Sequence, residues 1–212
     1  MPGVTIEAPG EGLRERKRRR TRETIARAAL ELFARQGFAE TTIPQIAEAA
    51  EVSPRTVSAY FPHKEELAFP DADEAFGRLA TRLRERPAGV TATEALRNWL
   101  DAWLAESGQD DQAPVRRRVV DADDSLRAYE QRHMLRAQTL MAEAIAQDLG
   151  VAADELEPQM AAAATVSVLL HLEDRIDEEN LSDQAARAAA LALVDRALVF
   201  IGGGVGALRA SR

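Results

Sequence analysis

Arg55, Ser58 and Ala59 fall at i, i+3 and i+4, with Thr42, Thr56, Tyr60, His63 and Lys64 close by in sequence. These side chains suit a nucleic acid better than a reaction. A guanidinium such as that of Arg55 can place two parallel hydrogen bonds on guanine N7 and O6. Ala59 has the size to meet a thymine methyl, and Ser58 shares its outward face. The hydroxyls of Thr42, Thr56 and Tyr60 and the ammonium of Lys64 suit phosphate oxygens, and His63 joins them when protonated. Each residue has a blander reading. Tyr60 can cover the edge of a core, Lys64 can pair with Glu65 or Glu66, and Arg55 can sit in solvent beside Glu51. The ordered set, not any one member, carries the argument.

The set needs a short helix to display it. Ser53 is a good N-cap and Pro54 a good first helical residue, because the proline lacks an N–H that would be unpaired there anyway. Val57 and Phe61, four apart, turn inward, and Pro62 ends the helix. Ahead of it, Thr42 and Gln45 form a capping box, and Ile43, Ile46, Ala47 and Ala50 give a second helix its buried face. A first helix is expected from about Arg19 to Gln36, with Ile25, Ala28, Ala29, Leu32 and Phe33 on one stripe and Gly37 at its C-cap. Three such helices can share one small core. Two short helices joined by a tight turn over 42–61 form a helix-turn-helix, a shape that places its second helix in the DNA major groove.

Charge supports that partner by its distribution rather than its sum. The 212 residues carry a net −8. Residues 1–64 hold 11 Lys/Arg against 8 Asp/Glu, and residues 65–212 hold 16 against 27. A basic head is drawn to phosphates, and an acidic body is kept off them. Residues 1–18 are expected as a disordered basic arm, rich in Pro and Gly and then in Arg and Lys. Arg18, Arg19 and Arg20 at its end suit DNA-backbone or minor-groove contact.

These residues resemble a known family. Ala28-Ala29-Leu30-Glu31-Leu32-Phe33, Gly37-Phe38, Thr41-Thr42-Ile43, Ile46-Ala47, Val52-Ser53, Thr56-Val57, Tyr60-Phe61 and Lys64-Glu65-Glu66-Leu67 are similar to the DNA-binding domain of the tetracycline-repressor (TetR) family over residues 19–67. The resemblance implies an all-α homodimeric repressor whose C-terminal domain binds a small molecule and dimerises. Three departures stand out. Glu51 occupies a turn position where the family usually has glycine, at a cost of roughly 1 kcal/mol if φ is positive. Arg55 stands where the family has a glycine, and Ser58 where it often has an aromatic. These bear on the operator sequence, not on the mode of binding.

Beyond Lys64 the pattern is helical throughout, with segments near 64–85, 91–107, 112–122, 124–149, 156–178 and 182–201. Pro70 should kink or split the first. Breaks are expected at Pro87-Ala88-Gly89, Ser107-Gly108, Gly150, Asn180 and Gly202-Gly203-Gly204. The fold class is therefore all-α, with a helix-turn-helix domain over 19–64 and a helical effector-binding and dimerisation domain over 65–212. Residues 158–176 and 182–201 are apolar around more than one face, so both helices need cover on several sides. Pairing them across a two-fold axis gives a four-helix homodimer interface, as the resembled family does; central helices of a monomer are the alternative.

For a ligand, the body offers Trp99 and Trp103, Tyr129 and His133, and Ser167 and His171, each pair four apart, with Met134 beside His133. Aromatic and polar groups of this kind suit a small lipophilic or amphipathic effector, although such spacing is also that of ordinary core. Arg116-Arg117-Arg118 could meet an anion such as an acyl-coenzyme A, but consecutive residues point in different directions around a helix. Catalysis finds little support: there is no cysteine or phosphate loop, and His63, His133 and His171 form no pair with metal-ligand spacing within one helix. No cofactor, metal or membrane partner is expected. The longest uncharged apolar run, Met160–Leu172, is shorter than the roughly 20 residues a bilayer needs, and the N-terminus lacks a signal-peptide core. The expected location is cytoplasmic, and the expected DNA target is a palindromic operator. The rival reading is an interaction protein of the same fold that has lost specific DNA binding.

Overall fold

The computed structural model describes residues 12–107, 112–177 and 184–210. Among them are nine α-helices, one 3-10 turn and no strand. The chain divides into two units. The first runs to Pro70 and takes in Val115–Leu126, and the second comprises Asp71–Pro114 and Arg127–Arg212.

In the first unit, α1 (Leu13–Gln36) buries Ile25, Ala28, Ala29, Leu32 and Phe33, the stripe that the sequence spacing requires. Gly37 ends it at φ +86° and returns its N–H to the Phe33 carbonyl. The capping box at α2 (Ile43–Ala49) is formed: the Gln45 side-chain oxygen accepts from the Thr42 N–H at 2.8 Å, and Thr42 Oγ1 accepts from the Gln45 N–H at 3.5 Å. At α3 (Pro54–Tyr60), Ser53 Oγ accepts from the Thr56 N–H at 3.1 Å. A 3-10 turn over Lys64–Leu67 follows. Ile25, Ala29, Ile46, Ala47, Val57, Phe61 and Leu67 are all at most 1% exposed and form one core. Val119 and Val120 of α6 (Ala113–Asp121) and Leu126, near the start of α7 (Asp124–Leu149), complete it.

The second unit is built from α4 (Ala72–Arg84), α5 (Ala92–Ser107), most of α7, α8 (Leu156–Asp177) and α9 (Gln184–Ala210). Leu83, Leu96, Met141, Ile145, Ala162 and Val194 are nearly fully buried at its centre. Two ion pairs tie its helices. Arg86 and Asp148 meet at 2.9 Å with side chains 9% and 14% exposed. The other Asp148 oxygen accepts from the Ala92 N–H at 2.6 Å, and Arg86 also donates to the Ala144 carbonyl at 2.9 Å. The second pair, Arg97 and Asp195, is bidentate at 2.6 and 3.2 Å and joins α5 to α9.

The structure departs from the sequence reading in four places. First, α1 begins at Leu13 rather than near Arg19, so residues 13–18 of the expected arm are helical. Glu15 accepts from the Gly12 N–H at 3.3 Å, and Arg and Lys are good helix formers. Residues 1–11 lie outside the described residues. Second, the expected boundary between Lys64 and Glu65 gives way to one at Pro70, and α6 supplies part of the first unit's core; only tertiary packing reveals that loan. Third, α9 runs through Gly202-Gly203-Gly204 to Ala210 instead of stopping there. A Cβ on Gly202 would lie 3.6 Å from Thr93 Oγ1 of α5, so this glycine sits at a helix–helix contact. Fourth, the segment Leu191–Ala210 is long and apolar enough to cross a bilayer by length and composition, with 17% of that window buried. Its Asp195 is held by Arg97 of α5. The expected break at Asn180 lies outside the described residues, and Pro70 separates the 3-10 turn from α4 as expected.

Replacing one partner of a buried ion pair strands the other charge. Asp148→Ala should therefore cost on the order of 3 kcal/mol or more, read as a lower urea midpoint. Arg97→Ala, at a half-exposed and solvent-screened pair, should shift the midpoint far less.

Candidate nucleic-acid interface

The candidate recognition surface is set by which side of α3 the core takes. Val57 and Phe61 are 0% and 1% exposed. Arg55, Ser58 and Ala59 are consequently on the open side, all three exposed, as is Thr42 at the start of α2. Thr56 is half-buried, and its hydroxyl lies 2.7 Å from Ser53 Oγ. Tyr60 is half-buried against the core edge and His63 is exposed. Arg18, Arg19 and Arg20 are exposed on the first turns of α1, with Arg19 beside Glu23 at 3.7 Å. One continuous helix therefore carries the basic run and the core stripe.

Lys64 has a second occupation. Its ammonium donates to the Phe38 carbonyl and to the Ala39 carbonyl at 3.4 Å, and sits 4.3 Å from the Phe38 ring centroid. Burial pulls its pKa below the ordinary lysine value, while the carboxylates of Asp123, Glu65 and Glu40 act in the opposite direction. Two of its three N–H donors are thereby committed to the turn between α1 and α2, which leaves it less suited to phosphate than its sequence position implies.

Arg22 is the residue that sequence reasoning missed. Its guanidinium donates to the Tyr60 carbonyl at 2.7 Å and to the Pro70 carbonyl at 3.0 and 2.8 Å. It also lies 4.2 Å from the Phe61 ring centroid. One side chain of α1 thus satisfies the last carbonyl of α3, stacks on the residue that anchors α3, and holds the segment that leads to α4. The available signal was an arginine three residues before Ile25, next to the buried stripe, where a long cation can reach across a helix end. A second fixing network joins Gln36 to Gln45 at 3.2 Å and to Thr41 at 3.3 Å.

The turn between α2 and α3 carries strain. Glu51 adopts φ +55° without being glycine. Its N–H donates to the Glu48 carbonyl at 3.1 Å, and the Val52 N–H donates to the Ala47 carbonyl at 2.9 Å. The left-handed turn is therefore kept despite the departure from glycine.

The candidate ligand residues do not converge on one cavity. Trp99 and Trp103 stack, with ring centroids 6.2 Å apart and planes 17° apart, and line a cleft with α4. Tyr129 and His133 are in ring contact at 4.7 Å on α7 and do not line it. Burial lowers the His133 pKa; Asp73 opposes this, and Arg136 and Arg132 add to it. Met134 is half-buried and Ser167 exposed. His171 belongs to α8, but its side chain lies outside the described residues. Among the described residues no cluster of metal-ligating side chains occurs.

Two substitutions test this account of the head. Glu51→Gly should raise stability by up to about 1 kcal/mol, seen as a higher melting temperature. Arg22→Ala, which leaves two carbonyls without their donor, should lower stability by about 2 kcal/mol and loosen α3, seen as faster amide exchange at Val57–Phe61. Unchanged exchange there would remove Arg22 from its positioning role.

Comparison with known proteins agrees with this geometry. Residues 25–69 match the family described as bacterial regulatory proteins, tetR family. The HTH-type transcriptional regulator TcmR of Streptomyces glaucescens is 49% identical over 98 residues, which make up 45% of this chain and 42% of that protein. The regulator MftR of Mycobacterium tuberculosis is 27% identical over 195 residues, 90% of this chain and 97% of that one. Among solved structures, the complex of SmeT with triclosan superposes with a TM-score of 0.55 at 22% identity, covering 82% of this chain and 90% of the other. SmeT is the repressor of a multidrug efflux pump of Stenotrophomonas maltophilia. Residues 25–69 are thus similar to the matching segment of bacterial regulatory proteins of the tetR family, and the described residues share the all-α fold of the solved regulators.

Proposed function

We propose that the chain is a homodimeric, DNA-binding transcriptional repressor that a small molecule releases from its operator. The observation that carries the reading is the division of α3: Val57 and Phe61 are buried while Arg55, Ser58 and Ala59 stand exposed on the same two turns. Arg55 reads guanine, Ala59 meets a thymine methyl, and Ser58 hydrogen-bonds a base edge or phosphate. Thr42 and Tyr60 take phosphates beside them, and Arg18, Arg19 and Arg20 extend the contact along the backbone or into the minor groove.

Dimerisation is supported by α8 and α9. Met160, Val199 and Phe200 are 59%, 75% and 78% exposed, an apolar surface that a second copy would cover. A dimer also reads two half-sites, and so gains the affinity one helix lacks. Release follows if an effector binds the second unit with different affinity in the DNA-competent and DNA-incompetent arrangements. The α4 helix, which begins two residues after the Pro70 carbonyl that Arg22 holds, follows the first of three places where the chain passes from one unit to the other. SmeT, a protein of the same fold, is solved with triclosan.

Fluorescence anisotropy with the upstream intergenic DNA, at two salt concentrations and against an unrelated duplex, tests the reading. Selective binding that falls steeply with salt is expected. Arg55→Ala should weaken it roughly tenfold to a hundredfold and relax preference at one guanine per half-site. Equal, weak binding to both duplexes would favour an interaction protein that has lost specific DNA recognition.

A further inference from the structure

Between α4 and α5 lies a cleft of about 590 Å³, walled by Trp99 and Trp103 on one side and by Gly77, Arg78 and Arg82 on the other, with Glu74 at its margin. Its volume falls within the roughly 300–1,000 Å³ of small-molecule sites. Three features of this wall go together. The two indoles are half-buried and nearly parallel, 17° apart, so each leaves part of its face open to a flat partner.

The second feature is Gly77. It sits in the interior of α4, where glycine is about 1 kcal/mol worse than alanine. A Cβ built on it meets nothing within 4 Å. Packing within the chain therefore does not require glycine here; what a side chain at this position would fill is the cleft.

The third is charge. Arg78 is engaged with Glu74 at 3.4 Å. Arg82 makes no hydrogen bond or ion pair among the described residues, and it is exposed at the cleft. The wall thus carries two guanidiniums against one carboxylate, on a unit that is otherwise rich in acid.

We propose that this cleft binds a flat aromatic molecule bearing one anionic group, a carboxylate or phenolate, with its rings against Trp99 and Trp103 and its anion on Arg82. The stacked indoles select for planarity, the open position at Gly77 admits the ring edge, and Arg82 selects for negative charge. The inference deepens the effector reading above and rests on it only for the regulatory consequence, because a molecule wedged against α4 acts on the helix that follows Pro70.

Trp99 and Trp103 are the only tryptophans in the chain, so their fluorescence reports the cleft directly. The full-length protein is titrated with 2-naphthoate, methyl 2-naphthoate and 2-naphthylmethylammonium, with free tryptophan as the optical control. Expected is saturable quenching by 2-naphthoate, with the ester and the amine at least tenfold weaker. Gly77→Leu should abolish the quenching, and Arg82→Gln should erase the preference for the acid over the ester, both with unchanged circular dichroism. Unsaturable quenching, equal affinity for acid and ester, or a preference that survives Arg82→Gln overturns the proposal. The assay contains no DNA, so failure to bind an operator leaves it standing. A compound that frees operator DNA without displacing 2-naphthoate would overturn the cleft as the effector site while the regulator reading remains.

Discussion

A seven-residue helix does not hold its shape in water by itself, because nucleation costs more than two turns of hydrogen bonds return. Everything this chain does with α3 (Pro54–Tyr60) depends on that helix being borrowed into a core. Val57 and Phe61 supply the grip, each worth roughly 1.5–3 kcal/mol of burial, and Ile25, Ile46 and Leu67 supply the surface they seat on. Arg22 then closes the helix's C-terminal end by taking the Tyr60 carbonyl. The exposed face of α3 is a consequence of this arrangement. Once Val57 and Phe61 face inward, the 3.6-residue period leaves Arg55, Ser58 and Ala59 outside.

The same constraint explains why residues that look like DNA contacts also work as braces. Tyr60 lends its ring to the core edge and its carbonyl to Arg22. Lys64 ties the turn after α1 through Phe38 and Ala39. A small domain has few side chains, and its core needs three helices and two turns fixed at once. The strained Glu51 belongs to this economy too: its left-handed turn joins α2 to α3, and the core imposes it even on a residue that disfavours it.

The head was legible because its signals are local. Capping residues, a proline at N1, a C-cap glycine and an apolar period of 3.6 each act within a few residues, so Thr42, Gln45, Ser53, Pro54 and Gly37 announced the helix ends that the structure has. The loan of Val119, Val120 and Leu126 to the head's core was not legible, because it depends on contacts about 50 residues or more apart in sequence. Arg22 was missed for the same reason: its partners are carbonyls, which every residue has. The glycines at 202–204 read as a stop, yet α9 continues, since Gly202 lies against Thr93 of α5 and helix packing there outweighs propensity. The candidate ligand residues were the least legible. Tryptophan at i and i+4 looks alike in a core and in a cleft, and only the neighbouring Gly77 and Arg82 of α4 distinguish the two.

The central claim is that α3 enters the major groove, twice, in a symmetric dimer. Methylation interference on the bound DNA addresses it most directly, since methylation at guanine N7 blocks the major-groove edge that Arg55 is placed to read. The account predicts interference at guanines in two half-sites related by a dyad, with centres about one helical turn or a small multiple of it apart. Interference confined to a single position, or binding indifferent to guanine N7 methylation, would contradict it.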